Sequence, residues 1–126
     1  MYTTAHNQYR NSAVQTASPS KLLMMLYDGA IRFVLAGIEG ITSSDYQKAN
    51  LNLGKAQSIV SELNSTLNRS IPVSANLEAI YEYVTHLLTQ SNINKDEAPA
   101  KEALVYLQDL RATWEQASRL SAASGS

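Results

Sequence analysis

The chain has 126 residues, no cysteine, and ten Lys plus Arg against eleven Asp plus Glu, a formal net charge of -1 at pH 7. That length suits one domain whose core stands without staples, and the lack of thiols excludes both a disulfide framework and a thiolate metal site. Near-zero charge offers no general attraction for nucleic acid or anionic lipid, so neither is an expected partner.

Residues 1–17 are polar, with Tyr2, Tyr9 and Val14 as their sizeable apolar side chains. They read as a flexible N-terminal arm or short cap segment that docks through Tyr9 and Val14. Ser18 is a good N-cap and Pro19 tolerates the first helical position, so a helix is expected from there to about Ile41. Its apolar residues Leu23, Tyr27, Ala30, Val34, Ile38 and Ile41 recur at steps of three and four, while Leu22, Met24, Met25, Leu26, Ile31, Phe33 and Leu35 fill the flanking faces. A helix apolar on so many sides must be surrounded. At 1.5 Å per residue it runs roughly 35 Å, long enough for other helices to lie along it. Gly29, Gly37 and Gly40 each weaken a helix by about 1 kcal/mol relative to Ala, and close packing against a neighbour is their expected reason. No basic leader precedes an apolar core, and the most apolar stretch carries Lys21, Asp28, Arg32 and Glu39, so no signal peptide, membrane span or membrane insertion is expected. The expected location is the cytosol.

Thr42 to Ser44 leaves room only for a tight reversal, and Ser44 with Gln47 forms a capping-box pattern for a second, antiparallel helix. Its seam is Tyr46, Ala49, Leu53, Ala56, Val60, Leu63 and Leu67. The opposite face is neutral and polar (Asn50, Gln57, Ser58, Ser61, Asn64, Ser65), with Leu51 and Ile59 beside the seam. Pro72 breaks the chain over residues 68–73. Ser74 is placed to cap a third helix with Leu77, Ile80 or Tyr81, Val84, Leu87 and Leu88 inward; after a turn at residues 91–95, Asp96 and Pro99 open a fourth with Ala103, Leu107, Leu110, Trp114 and Ala117 inward. Residues 121–126, SAASGS, have nothing to bury and are expected to be disordered. The fold class is all-α, an antiparallel up-down-up-down four-helix bundle over residues 18–120.

A di-iron bundle needs Glu-x-x-His on two helices. This chain has two histidines, His6 in the arm and His86 four residues after Glu82, so no metal site and no cofactor is expected. No phosphate loop, nucleophile elbow or catalytic triad pattern appears either, and no enzyme activity is expected. Two alternative readings stand beside a binding role: histidine phosphotransfer through an exposed His86 in His86-Leu87-Leu88, and a helical scaffold without a client.

Tyr9-x4-Val14-x-Thr16-Ala17-Ser18-Pro19, then Leu22 and Met25-Leu26-Tyr27-Asp28-Gly29-Ala30, resemble the FliS flagellin-export chaperones. Ile59-x2-Leu63-x3-Leu67-Asn68, Asn76-Leu77-x3-Tyr81-x-Tyr83 and Leu110-Arg111-x2-Trp114 extend the resemblance through the later helices. It implies a four-helix bundle with an N-terminal segment laid over it. It further implies one-to-one binding of the disordered C-terminal segment of flagellin in the bacterial cytosol, which prevents premature polymerisation, and delivery to the flagellar type III export gate. A regulator of flagellin level or the anti-sigma factor is an open second partner. The arm with Tyr9 and Val14 would cover part of the bundle and yield to flagellin. On the second helix, Asn52, Lys55, Ala56, Ile59, Leu63 and Asn64 are expected to border one client groove, an uncharged polar face being able to take an apolar ligand without stranding charges. The competing reading puts Ala56 and Leu63 in the core, where Tyr27 and Trp114 are also expected.

Overall fold

The computed structural model describes residues 19–125, which form four α-helices: α1 (Pro19–Thr42), α2 (Tyr46–Ser65), α3 (Val73–Asn94) and α4 (Glu97–Gly125). The short connections reverse the chain at each step, and every helix packs on two others in the ring α1, α2, α3, α4 and back to α1. This is the expected up-down-up-down bundle. The arm, with Tyr9, Val14 and the Ser18 cap, lies outside the described residues.

The α1 seam closes as the spacing predicts. Tyr27, Ala30 and Val34 are fully buried, against Ala49, Leu53, Ala56, Val60 and Leu63 of α2 and Leu88, Ala103 and Leu107 from the other two helices. Gly37 and Gly40 explain how closely α2 can approach. A Cβ on Gly37 would stand 2.6 Å from the Leu53 side chain, and one on Gly40 would stand 2.6 Å from the backbone N of Ala49 and 2.9 Å from the carbonyl oxygen of Asp45. The helix-weakening residues are therefore where two backbones nearly touch.

The caps differ in detail from the expected ones. Ser44 adopts a left-handed φ of 59° and makes the reversal itself, so the capping role passes to Asp45, whose carboxylate accepts from the Lys48 N–H at 3.1 Å. Ser74 is not the cap of α3 but lies inside its first turn, buried, donating its hydroxyl back to the Asn68 carbonyl. Asp96 accepts from the Ala98 N–H at 3.0 Å, as expected of the α4 cap. Tyr46, expected on the α2 seam, is 48% exposed because it is the first residue of its helix, and its ring faces Lys95 Nζ at 5.9 Å. The fourth helix does not stop at Leu120. It continues to Gly125, past Leu120, which is 64% exposed.

Gly40→Ala is expected to cost about 1–3 kcal/mol, because backbone atoms cannot rotate away from the new methyl as a side chain could. Gly54→Ala, where a Cβ meets nothing within 4 Å, is expected to stabilise by roughly 0.5–1 kcal/mol. Urea unfolding of the two variants checks this; equal effects would contradict the close α1/α2 approach.

Candidate client-binding clefts

Three large side chains meet through their polar tips inside the bundle. Trp114 of α4 donates its Nε1–H to the Tyr27 hydroxyl of α1 at 3.1 Å, and Tyr27 lies 2.5 Å from the Tyr81 hydroxyl of α3. Burial, and then the Tyr81 contact, push the Tyr27 hydroxyl far above the usual tyrosine range, and burial raises Tyr81 as well, so both stay protonated donors at any physiological pH. On the outside of α1 and α4, Arg111 pairs with Asp28 and, at 2.6 Å, with Glu115, whose carboxyl is held below its ordinary value first by its hydrogen bond to Arg111 and then by Arg119.

Among the described residues, a cleft opens on either side of this chain of hydroxyls. Between α1 and α4 lies a 320 Å³ cleft lined by Pro19, Ser20, Leu23, Trp114, Ala117 and Ser118, so that Trp114 has its indole N–H in the core chain and helps wall this opening. Between α2 and α3 lies a 280 Å³ cleft lined by Val60, Ser61, Asn64, Tyr81, Glu82 and Thr85. Both linings are mainly apolar in surface, and the second has the larger polar share, from Ser61, Asn64, Glu82 and Thr85. Beyond the clefts, α1 exposes Met25 and Leu35 to solvent.

The residues expected to border one groove are separated by the structure. Ala56 and Leu63 are fully buried, as the competing reading had it, and Ile59, expected beside the seam, is 7% exposed with its Cδ1 3.1 Å from where a Gly29 Cβ would stand. The reason is the missing side chain at Gly29, which lets an α2 residue turned towards α1 sink into the core. Asn52 and Lys55 are half-buried on α2; Asn52 donates to the Lys48 carbonyl at 2.9 Å, and Lys55 Nζ stands 5.2 Å from the centre of the Phe33 ring of α1. Asn64 faces the other way, into the α2/α3 cleft. One helix thus carries the six residues, but they reach the core, the α1 side and the α3 side.

Sequence reasoning did not single out Tyr81, Glu82 and Thr85 as cleft residues. The signal was present in Tyr81, a buried aromatic that must find a partner for its hydroxyl, but periodicity alone left Ile80 and Tyr81 as equal candidates. His86 is exposed, its ring stacked on Tyr83 with centroids 6.3 Å apart, and the Tyr83 hydroxyl donates to Glu102 at 2.7 Å. Among the described residues no three His, Asp or Glu side chains come together as a metal site would need, and no helix is long and apolar enough to cross a membrane.

Tyr27→Phe would remove the acceptor for the Trp114 N–H and the partner of Tyr81 while keeping the ring. A loss of about 1–3 kcal/mol is expected, the usual cost of leaving buried polar groups unpaired. Chemical denaturation checks it, and an unchanged midpoint would show that the three tips are not mutually dependent.

The family described as flagellar protein FliS matches residues 1–121. The flagellar secretion chaperone FliS of Bacillus subtilis (strain 168) is 40% identical over 112 residues, covering 89% of this chain and 84% of that one. Those of Vibrio cholerae and Salmonella typhimurium are 26% identical over 108 residues and 29% identical over 110, covering 84% and 85% of this chain and 79% and 82% of their own.

Proposed function

The chain belongs to the FliS family, whose relatives above are named flagellar secretion chaperones, and on that footing we propose that it is the export chaperone of flagellin. It binds the disordered C-terminal segment of newly made flagellin in the cytoplasm, one to one, keeps it from polymerising, and hands it to the flagellar type III export gate. The observation that carries the reading is the pair of clefts on a preformed bundle, one apolar around Leu23 and Trp114, the other more polar around Asn64 and Thr85. An amphipathic segment that folds on binding needs such a surface: apolar anchors fill the first, and its polar groups are answered in the second. Coupled folding of this kind buries about 1,000–3,000 Å² and loses roughly 2–5 kcal/mol to ordering, which leaves affinity compatible with release at the gate.

Of the six α2 residues, Asn64 faces the client in the α2/α3 cleft, Asn52 and Lys55 lie on the α1 side outside both clefts, and Ala56, Ile59 and Leu63 support the helix from within. The arm joins α1 at Pro19, itself a wall of the apolar cleft. The arm, with Tyr9 and Val14, is read as competing with the client for the bundle surface and yielding when flagellin binds.

Calorimetric titration of the full chain with a peptide of its own organism's flagellin C-terminus is expected to give submicromolar one-to-one binding with a strongly negative heat-capacity change. Deletion of residues 1–12 is expected to change that affinity. A folded chain that takes up no peptide would overturn the function, and identical affinity of the truncated chain would remove the competing arm.

A further inference from the structure

We propose that the α2/α3 cleft is a subsite for one side-chain carboxamide, a Gln or Asn of the bound polypeptide. The proposal rests on the client-binding function above and names the chemistry of one of its contacts.

The polar face of α2 makes a ladder across to α3 at positions 50, 57 and 64, each seven residues from the last. Asn50 Oδ1 accepts from Lys95 Nζ at 2.5 Å, and Gln57 Nε2 donates to Thr89 Oγ1 at 2.6 Å. At the third rung the partner is missing. Asn64 Oδ1 is buried and bonded to nothing, and here the helices part to leave the 280 Å³ cleft. A buried acceptor without a donor is costly, and natural proteins rarely keep one without a use.

The core chain leaves the matching donor in the same cleft. An indole N–H only donates, so the Tyr27 oxygen accepts from Trp114. Tyr27 is fully buried with Tyr81 as its one other hydroxyl partner, so its proton goes to the Tyr81 oxygen. The Tyr81 proton then has no acceptor among the described residues, and Tyr81 lines the cleft. Glu82, exposed at the rim, adds a second acceptor. The cleft thus asks for a group with two donors and one acceptor at a single site. A primary carboxamide has that set: its N–H pair answers Asn64 and Glu82, and its carbonyl takes the Tyr81 proton. Lys and Arg bring donors alone and leave Tyr81 unanswered, and a carboxylate would meet Glu82. Asn64 is itself a carboxamide, and two carboxamides pair through N–H and C=O in either orientation.

The test uses the full chain and the flagellin C-terminal peptide. Asn64→Leu is expected to weaken binding on the order of 10-fold, one hydrogen bond's effect. The free protein should melt at the same temperature or higher, because the wild-type oxygen has no partner to lose. Replacing each Gln and Asn of the peptide by Ala should find one position that weakens binding to wild type but not to Asn64→Leu, the non-additivity of groups in contact. If the Leu variant does not fold, Asn64→Ala, which only removes atoms, takes its place. Wild-type affinity in the variant, or a peptide series that loses equally against both proteins, would overturn the subsite while leaving the chaperone function standing. A lowered melting temperature with unchanged affinity would overturn it too, assigning Asn64 to a structural water. A wild-type chain that binds no peptide would remove the function and the subsite together.

Discussion

The Trp114, Tyr27 and Tyr81 hydrogen-bond chain is the constraint on which the rest of the bundle depends. It joins three of the four helices by polar tips in an otherwise apolar interior. In such surroundings a satisfied hydrogen bond gains strength and an unsatisfied one is costly, so the chain admits few alternative registers. Its two ends wall the two clefts, Trp114 on the α1/α4 side and Tyr81 on the α2/α3 side. The same contacts that specify the fold therefore hold the candidate binding surfaces in place, and a client would meet walls that are already rigid. Preorganisation of that kind lowers the ordering cost on the chaperone's side and leaves it to the disordered partner.

The two sides of α2 are held by different physics. Towards α1 the contact is steric, set by glycines that let Leu53, Ala49 and Ile59 come close. Towards α3 the buried apolar contacts are flanked by a ladder of polar side chains that closes at Lys95 and Thr89 and opens at Asn64. A seam of apolar contacts is hard to part, whereas a polar ladder can exchange one partner for another at little net cost. The groove that yields to a partner is thus expected on the α3 side, and that is where the more polar of the two clefts lies.

The fold was legible because each helix carries an uninterrupted three-four spacing and the breaks fall at Pro72 and at short polar turns. Gly37 and Gly40 were legible as close contacts for the same reason, since nothing else offsets three glycines in one helix. The caps were less so. Ser44 and Ser74 have the right side chains for capping, but a left-handed φ at one and a hydrogen bond back to Asn68 at the other put them to different use. The candidate site was legible only in part. Asn64 stood out as a neutral polar residue, but grouping it with Ile59 and Lys55 required knowing which neighbour each one faces, and periodicity along one helix does not say which of two flanking helices lies on which side. Ile59 went inward because Gly29, thirty residues earlier in the sequence, leaves it room. Tyr81 became a cleft residue through a hydrogen bond to Tyr27 of α1 that no local pattern announces.

The most direct test of the central claim, that a flagellin segment is held in the two clefts of a preformed bundle, is hydrogen exchange of the full chain with and without the flagellin C-terminal peptide. Slowed exchange is expected in the two cleft-lining sets, residues 19–23 with 114–118 and residues 60–64 with 81–85, and little change in the already protected middle of α1. Protection confined to other surfaces, or none at saturating peptide, would contradict it.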